Sequence, residues 1–148
     1  MAEWTSVAVQ TVNPGESIVF TENSEPCTKG LVLHRDDSGA FLMKGVGDYT
    51  QQCCCKPAVV NYMVDFGANI AVPTGETVGA ISVAFALDGN TLSGTQMEVT
   101  PAAVEEYFNV SRAANVSIWK GCCQTLSIRN TSAVPILVQS ANVVFAKK

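Results

Sequence analysis

The sequence predicts an all-β chain, and three observations carry that prediction. Over Ile81–Leu87 the apolar Ile81, Val83, Phe85 and Leu87 alternate with Ser82, Ala84 and Ala86, the period-two pattern of a strand with one buried face. The alternation returns at Val116 and Ile118, Leu126 and Ile128, Ile136 and Val138, and Val143 and Phe145. Turn residues punctuate these runs, among them Asp88-Gly89, Lys120-Gly121 and Asn130-Thr131-Ser132.

Taken in order, Val7 and Val9 predict a first short strand, and Asn13-Pro14-Gly15 a turn before residues 17–21, where Ile18 and Phe20 face the core. Residues 22–29 read as polar loop. Residues 31–35 and 40–44 flank Asp36-Asp37-Ser38-Gly39, a glycine-containing connection of hairpin length. Residues 45–57 keep no sustained period and read as loop. Val60, Tyr62, Val64 and Phe66 then share one face, Ile70 and Val72 continue it, and Gly67 marks the place for a bulge. Pro73-Thr74-Gly75 breaks the run, and residues 91–99 return as hairpin partner of Ile81–Leu87. Thr100, Pro101, Glu105 and Glu106 combine a cap, a proline for the first helical position and first-turn acids, which predicts at most one short helix near residues 101–107. Residues 107–112, 115–119, 123–129 and 134–145 complete about ten short strands, an antiparallel sandwich or barrel rather than a parallel sheet with crossover helices.

A chain of 148 residues has the usual length of one domain. We read residues 1–12 as an N-terminal arm and first strand, and 13–148 as one domain. With 15% charged residues, 47% hydrophobic residues and a net charge of -4, the chain has neither the composition of a disordered segment nor the basic surface that grips nucleic acid. So little charge predicts that other subunits cover part of the exterior. Ala84 and Ala86 point the same way, towards packing on both faces, one against the core and one against a neighbour. No apolar run approaches the length of about 20 residues that spans a bilayer, and residues 1–10 lack the charged and apolar regions of a signal peptide. The expectation is a soluble chain with no membrane partner, made without a cleaved signal. Glycosylation-type triplets at Asn109, Asn115 and Asn130 read as strand-edge and turn positions.

Candidate chemistry is sparse. His34 is the only imidazole; it sits at a strand end beside a turn, with Asp36 and Asp37 too near in sequence to orient it as a catalytic base. Glu105 and Glu106 are adjacent, and so diverge rather than pair. No phosphate loop or nucleophile elbow is present, and the sequence predicts no catalytic, metal or cofactor site. Cys27, Cys53, Cys54, Cys55, Cys122 and Cys123 all fall in or beside predicted loops. Their spacing does not fit the two-to-four-residue separation of zinc ligands. Disulfides between separate clusters and reduced thiols packed at loop bases both remain open, since adjacent cysteines do not pair without strain. Trp4 and Trp119 are candidate interface residues, because tryptophan at a strand end seals a core or interface more often than it binds a sugar.

The strand sequence VQTVNPGESIVFTE, GLVLHRDDSGAFLMKG, VNYMVDFGANIAV, ISVAFALDGNTL, VSIWKG, TLSIRNTS and VVFAKK resembles the tumour necrosis factor-like jelly roll over the whole chain. It is most similar to the bacterial and phage branch that includes the heads of spore-surface glycoproteins. The resemblance implies a two-sheet jelly-roll sandwich that assembles as a homotrimer around a threefold axis. The chain carries six cysteines and no Gly-X-Y stalk, and in this it is similar to trimeric decoration and head-fibre proteins of tailed-phage capsids. That likeness implies a non-enzymatic virion-surface protein, made in the host cytoplasm, with the major capsid protein as partner. The other reading it leaves is a carbohydrate- or receptor-binding module touching glycan or host surface.

Overall fold

Alternation decides which face each strand buries, and the pairing of strands decides how long each can be. The computed structural model describes residues 1–27, 30–35, 37–45, 59–119 and 123–148. Its strands are β1 (Ala2–Ser6), β2 (Gln10–Val12), β3 (Glu22–Glu25), β4 (Val32–His34), β5 (Phe41–Lys44), β6 (Val59–Ala71), β7 (Ile81–Leu87), β8 (Asn90–Thr91), β9 (Met97–Val99), β10 (Phe108–Trp119), β11 (Cys123–Asn130) and β12 (Ile136–Lys147). One sheet runs β10-β6-β12-β1-β3, with β2 also on β12; the other runs β4-β5-β11-β7-β8, with β9 also on β7. We call them the long and the short sheet, because β6, β10 and β12 have 13, 12 and 12 residues while the longest strand of the other sheet, β11, has eight.

The expected all-β antiparallel sandwich is what the chain forms. Val64, Phe66, Ile70, Val143 and Phe145 of the long sheet face Phe41, Met43, Val83, Phe85, Leu126 and Ile128 of the short one, all buried. Ring contacts cross between the layers, with Phe41 at 5.0 Å from Phe145 and Phe66 at 6.3 Å from Phe85. Each such side chain contributes about 1.5–3 kcal/mol by leaving water, so these inward rows hold the two sheets together.

The turns follow their residues. Asp88 (φ 51°) and Gly89 (φ 83°) form the two-residue connection between paired Leu87 and Asn90, the positive-φ pair that matches the twist of a hairpin. Asp88 also accepts the Thr125 N–H through Oδ1 at 2.9 Å. Gly67 does mark a bulge, but the extra residue is on β12: Ser140 and Ala141 lie where the register skips between Gln139 and Asn142. A Cβ on Gly67 would stand 2.9 Å from Asn142 Oδ1.

Several expectations are corrected. There are twelve strands among the described residues, and three are long; residues 108–119 run unbroken as β10 because all twelve of its positions pair with β6. The first strand is Ala2–Ser6, while Val7 and Val9 lie exposed between β1 and β2. Within residues 1–12, Ala2–Ser6 and Gln10–Val12 are strands, and β1 lies between β12 and β3. Residues 17–21 make only isolated bridges, Ser17 to Arg129 and Phe20 to Ser38. There the Gln10 side chain replaces a strand neighbour, donating to the Val19 carbonyl (2.8 Å) and accepting the Val19 N–H (2.9 Å).

Residues 101–107 are turn and bend, not helix. The Glu106 carboxylate accepts the N–H groups of Ala102 and Ala103 at 3.1 and 3.2 Å, so the capping chemistry is used. Glu105 at φ 56° then reverses the backbone hand, and its N–H goes to the Val72 carbonyl instead of a helical partner. The one helical turn among the described residues is a 3-10 turn at Ser93–Thr95. Ala84 and Ala86 are 0% exposed in the single chain, so no neighbour is needed to cover them.

Candidate functional site

The face of the long sheet that points away from the core is broad and nearly uncharged. Counting alternate positions, β6 presents Asn61, Met63, Asp65 and Asn69, β10 presents Asn109, Ser111, Ala113, Asn115 and Ser117, and β12 presents Leu137, Gln139, Asn142, Val144 and Ala146. Asp65 is the single charge at these positions. The polar side chains pair across strands: Asn109 donates to Asn69 at 3.1 Å and Ser117 to Asn61 at 2.7 Å. Such pairing flattens the surface and leaves fewer polar groups to be desolvated if the face is covered. Between Gly67, Ser111, Arg112 and Asn142 it dips into a depression of about 430 Å³, made where the bulge parts β12 from β6.

Trp119 stands at the end of this face, 64% exposed and paired with Val59, so its position is open to a partner. Trp4 is not. It is 4% exposed, with ring contacts to Phe41 (5.2 Å), Phe145 and His34 (5.7 Å each). That corrects its expected interface role: its surface is already spent inside the subunit, where the small inward residues Ala2 and Ser6 leave room for one indole.

His34 ends β4, stacked on Phe41 at 4.5 Å. Its Nε2–H donates to the Ser38 carbonyl at 2.8 Å, a bond that holds the ring at the turn and fixes its tautomer. Cys27 is half-buried and Cys123 exposed; Cys53, Cys54, Cys55 and Cys122 lie outside the described residues, as do Asp36, Lys120 and Gly121 and most of the loop expected at 45–57. Among the described residues no three His, Cys, Asp or Glu side chains converge on a metal-sized site.

Tyr62 was missed as more than a core residue. Its hydroxyl donates to the Lys44 carbonyl at 2.5 Å, tying β6 to β5 across the sandwich. Burial, and secondarily the charge of Cys27, pushes its pKa up to about 12, so it is a neutral donor rather than a proton carrier. The outer residues of the long sheet were also missed. The available signal was the lack of charge at the alternate positions of 59–71 and 108–119.

No family model matches the chain, and no curated protein matches it. Among solved structures, the globular domain of zebrafish complement 1qA protein is similar over 97% of this chain and 94% of that one, at 10% identity and a TM-score of 0.52. The CBM22-1 xylan-binding domain from Paenibacillus barcinonensis Xyn10C covers 99% of this chain and 87% of its own, at 11% identity and a TM-score of 0.35. The C-terminal CBM6 of LamC from Zobellia galactanivorans covers 93% and 99%, at 14% identity and a TM-score of 0.31. At 10% identity the first likeness is one of fold, and it gives the chain the tumour necrosis factor-like jelly-roll fold that its strand pattern resembles.

Proposed function

We propose that this chain is a non-enzymatic structural protein, a homotrimeric jelly roll that sits on the outer surface of a tailed-phage capsid as a decoration or head-fibre protein. The observation that carries the reading is the outer face of the long sheet. Three strands of 12 or 13 residues, with β1 beside them, give a face about 40 Å by 15–20 Å at ordinary strand spacings. That is close to the roughly 800 Å² per partner of a standard stable interface. Depletion of charge at the centre of such a face is the compositional mark of an interface core; Asp65 on β6 and Glu3 on β1 are the carboxylates that depart from it. Self-association through this face leaves the loops at the strand ends for capsid and host.

Light scattering after size exclusion tests the assembly: the wild type is expected at three times 15.7 kDa. Asn115→Arg, placing a charge on the exposed face of the edge strand β10 beside Met63, is expected to shift it to monomer with an unchanged circular dichroism spectrum. A monomeric wild type would remove the proposal. Labelling of phage particles with an antibody to the chain tests the virion location, and no label on intact particles would remove that part.

A second reading rests on Trp119. An indole this exposed is a platform for stacking a sugar ring, which suits a glycan- or receptor-binding module. A glycan-array signal lost in Trp119→Ala, with the wild type monomeric, would favour it over the assembly.

A further inference from the structure

Arg129 is the unusual side chain of the short sheet. Register places it on the same face as Ala84, while Ser127, Ala86 and Thr91 share that face one pair further on. Ile128 and Leu126 point the other way, into the core. Two alanines on β7 leave a shallow trough, and the arginine reaches β8 and the turn after β7: Nη1 donates to the Gly89 carbonyl at 2.9 Å. Nε is buried and makes no hydrogen bond among the described residues.

The guanidinium lines a pocket of about 460 Å³ with Thr91, Ser93, Gln96 and Ser132. That volume lies in the range of small-molecule sites. The Thr91 and Ser93 hydroxyls make no hydrogen bond among the described residues, and Gln96 makes only a long one, 3.4 Å, to Glu98. No carboxylate lines the pocket, so on a chain of net charge -4 it holds a cation whose charge the lining does not balance. One wall is rigid. Buried Asn130 donates to the Val12 and Val134 carbonyls, each at 2.9 Å, and accepts the Ser132 N–H at 2.8 Å; Ser132 Oγ in turn accepts the Ser82 N–H at 2.7 Å.

We propose that this pocket binds a carboxylate-bearing monosaccharide unit, its carboxylate on Arg129 and its hydroxyls on Thr91, Ser93 and Gln96. A planar guanidinium fork matches a carboxylate. A single arginine balances one negative charge, which fits a carboxylate better than a doubly charged phosphate. The neutral hydroxyls and amide supply both donors and acceptors, which sugar hydroxyls need. The pocket is on the short sheet and the proposed trimer face is on the long one, so either idea can fail while the other stands.

The test is an NMR titration of the full chain with sodium glucuronate, with glucose, acetate and inorganic phosphate as separate probes. Glucuronate is expected to give saturable shifts at Thr91, Ser93, Gln96 and Arg129, with each other probe at least about tenfold weaker, the scale of one lost hydrogen bond to a charged group. Arg129→Lys keeps the charge and loses the fork, and is expected to weaken glucuronate about ten- to a hundredfold. Should that variant not fold, Thr91→Val with Ser93→Ala leaves the arginine in place; it is expected to weaken glucuronate but not acetate. No saturable glucuronate binding would overturn the proposal, as would acetate or phosphate binding as tightly as glucuronate, or unchanged affinity in the variants.

Discussion

The two sheets use the same alternation to different ends. In β7 of the short sheet the outward positions Ser82, Ala84 and Ala86 are as buried as the inward Val83 and Phe85. In β6 of the long sheet the inward row is equally buried, yet Asn61 and Asp65 on the outward row are exposed. The difference lies in what the chain itself lays over each face. On the short sheet Arg129 lies beside Ala84 and Thr131 and Ser132 bond Ser82, and only small outward residues fit beneath such cover. Among the described residues the outward row of the long sheet stays exposed or half-buried, and it mixes neutral amides and hydroxyls with a few apolar side chains and the carboxylates of Asp65 and Glu3. Small residues on an outer strand face therefore signal cover within the subunit, whereas neutral amides and hydroxyls signal a face that water or another molecule must cover.

The largest expected effect probes what the two sheets share. Phe41 on β5 is fully buried and its ring meets Trp4, Phe20, His34 and Phe145, so it belongs to both layers. Phe41→Ala is expected to cost about 3–5 kcal/mol in urea unfolding, the usual loss for a buried phenylalanine whose cavity cannot collapse. A loss under about 1 kcal/mol would mean that the layers do not share a core here.

A paired substitution tests the contrast itself. Ala86→Val adds two methyls under a covered face and is expected to destabilise by about 1–3 kcal/mol through overpacking. Ala113→Val, on the exposed outer face of β10, is expected to stay within about 0.5 kcal/mol, since a β-branched residue suits an open strand. Equal effects would erase the distinction between a self-covered and an uncovered face.

That distinction also marks where the sequence could be read. β6, β7, β11 and β12 were legible because their inward rows are large and apolar, and the 32–44 hairpin because glycine ends its turn. A Cβ on Gly39 would lie 2.6 Å from the Ile18 carbonyl oxygen, so that glycine also admits the neighbouring segment. β1 was hidden because its inward row is Ala2, Trp4 and Ser6: one indole fills the volume that an apolar row would otherwise supply. β3, with the sequence ENSE, is exposed at every position and is held by backbone pairing to β1, which leaves no side-chain pattern. At residues 101–107 the capping signal was real, but Glu106 applied it to a turn. The pocket around Arg129 was invisible because its lining comes from three separated segments, and only register brings an arginine beside two alanines.

Tyr62 gives a smaller effect than the core substitutions and the finest probe, since it is a polar tie between the two sheets. It is inward-facing on the long sheet, and its hydroxyl donates to the Lys44 carbonyl of the short one. Tyr62→Phe is expected to cost about 1 kcal/mol near neutral pH, the net worth of one hydrogen bond. Burial first, and Cys27 second, raise the folded pKa to about 12, against about 10 in the unfolded chain. The folded state thus holds the phenolic proton more tightly. This contribution is complete below pH 10 and is lost as pH rises from about 10 towards 12. Over that window the wild type is expected to lose on the order of 1–2 kcal/mol relative to the phenylalanine variant. Urea unfolding of both proteins at steps from pH 8 to 11.5 reads the difference, which cancels the other groups that titrate there. The two stability curves should converge or cross; curves that stay parallel would show that the hydroxyl is not buried between the sheets.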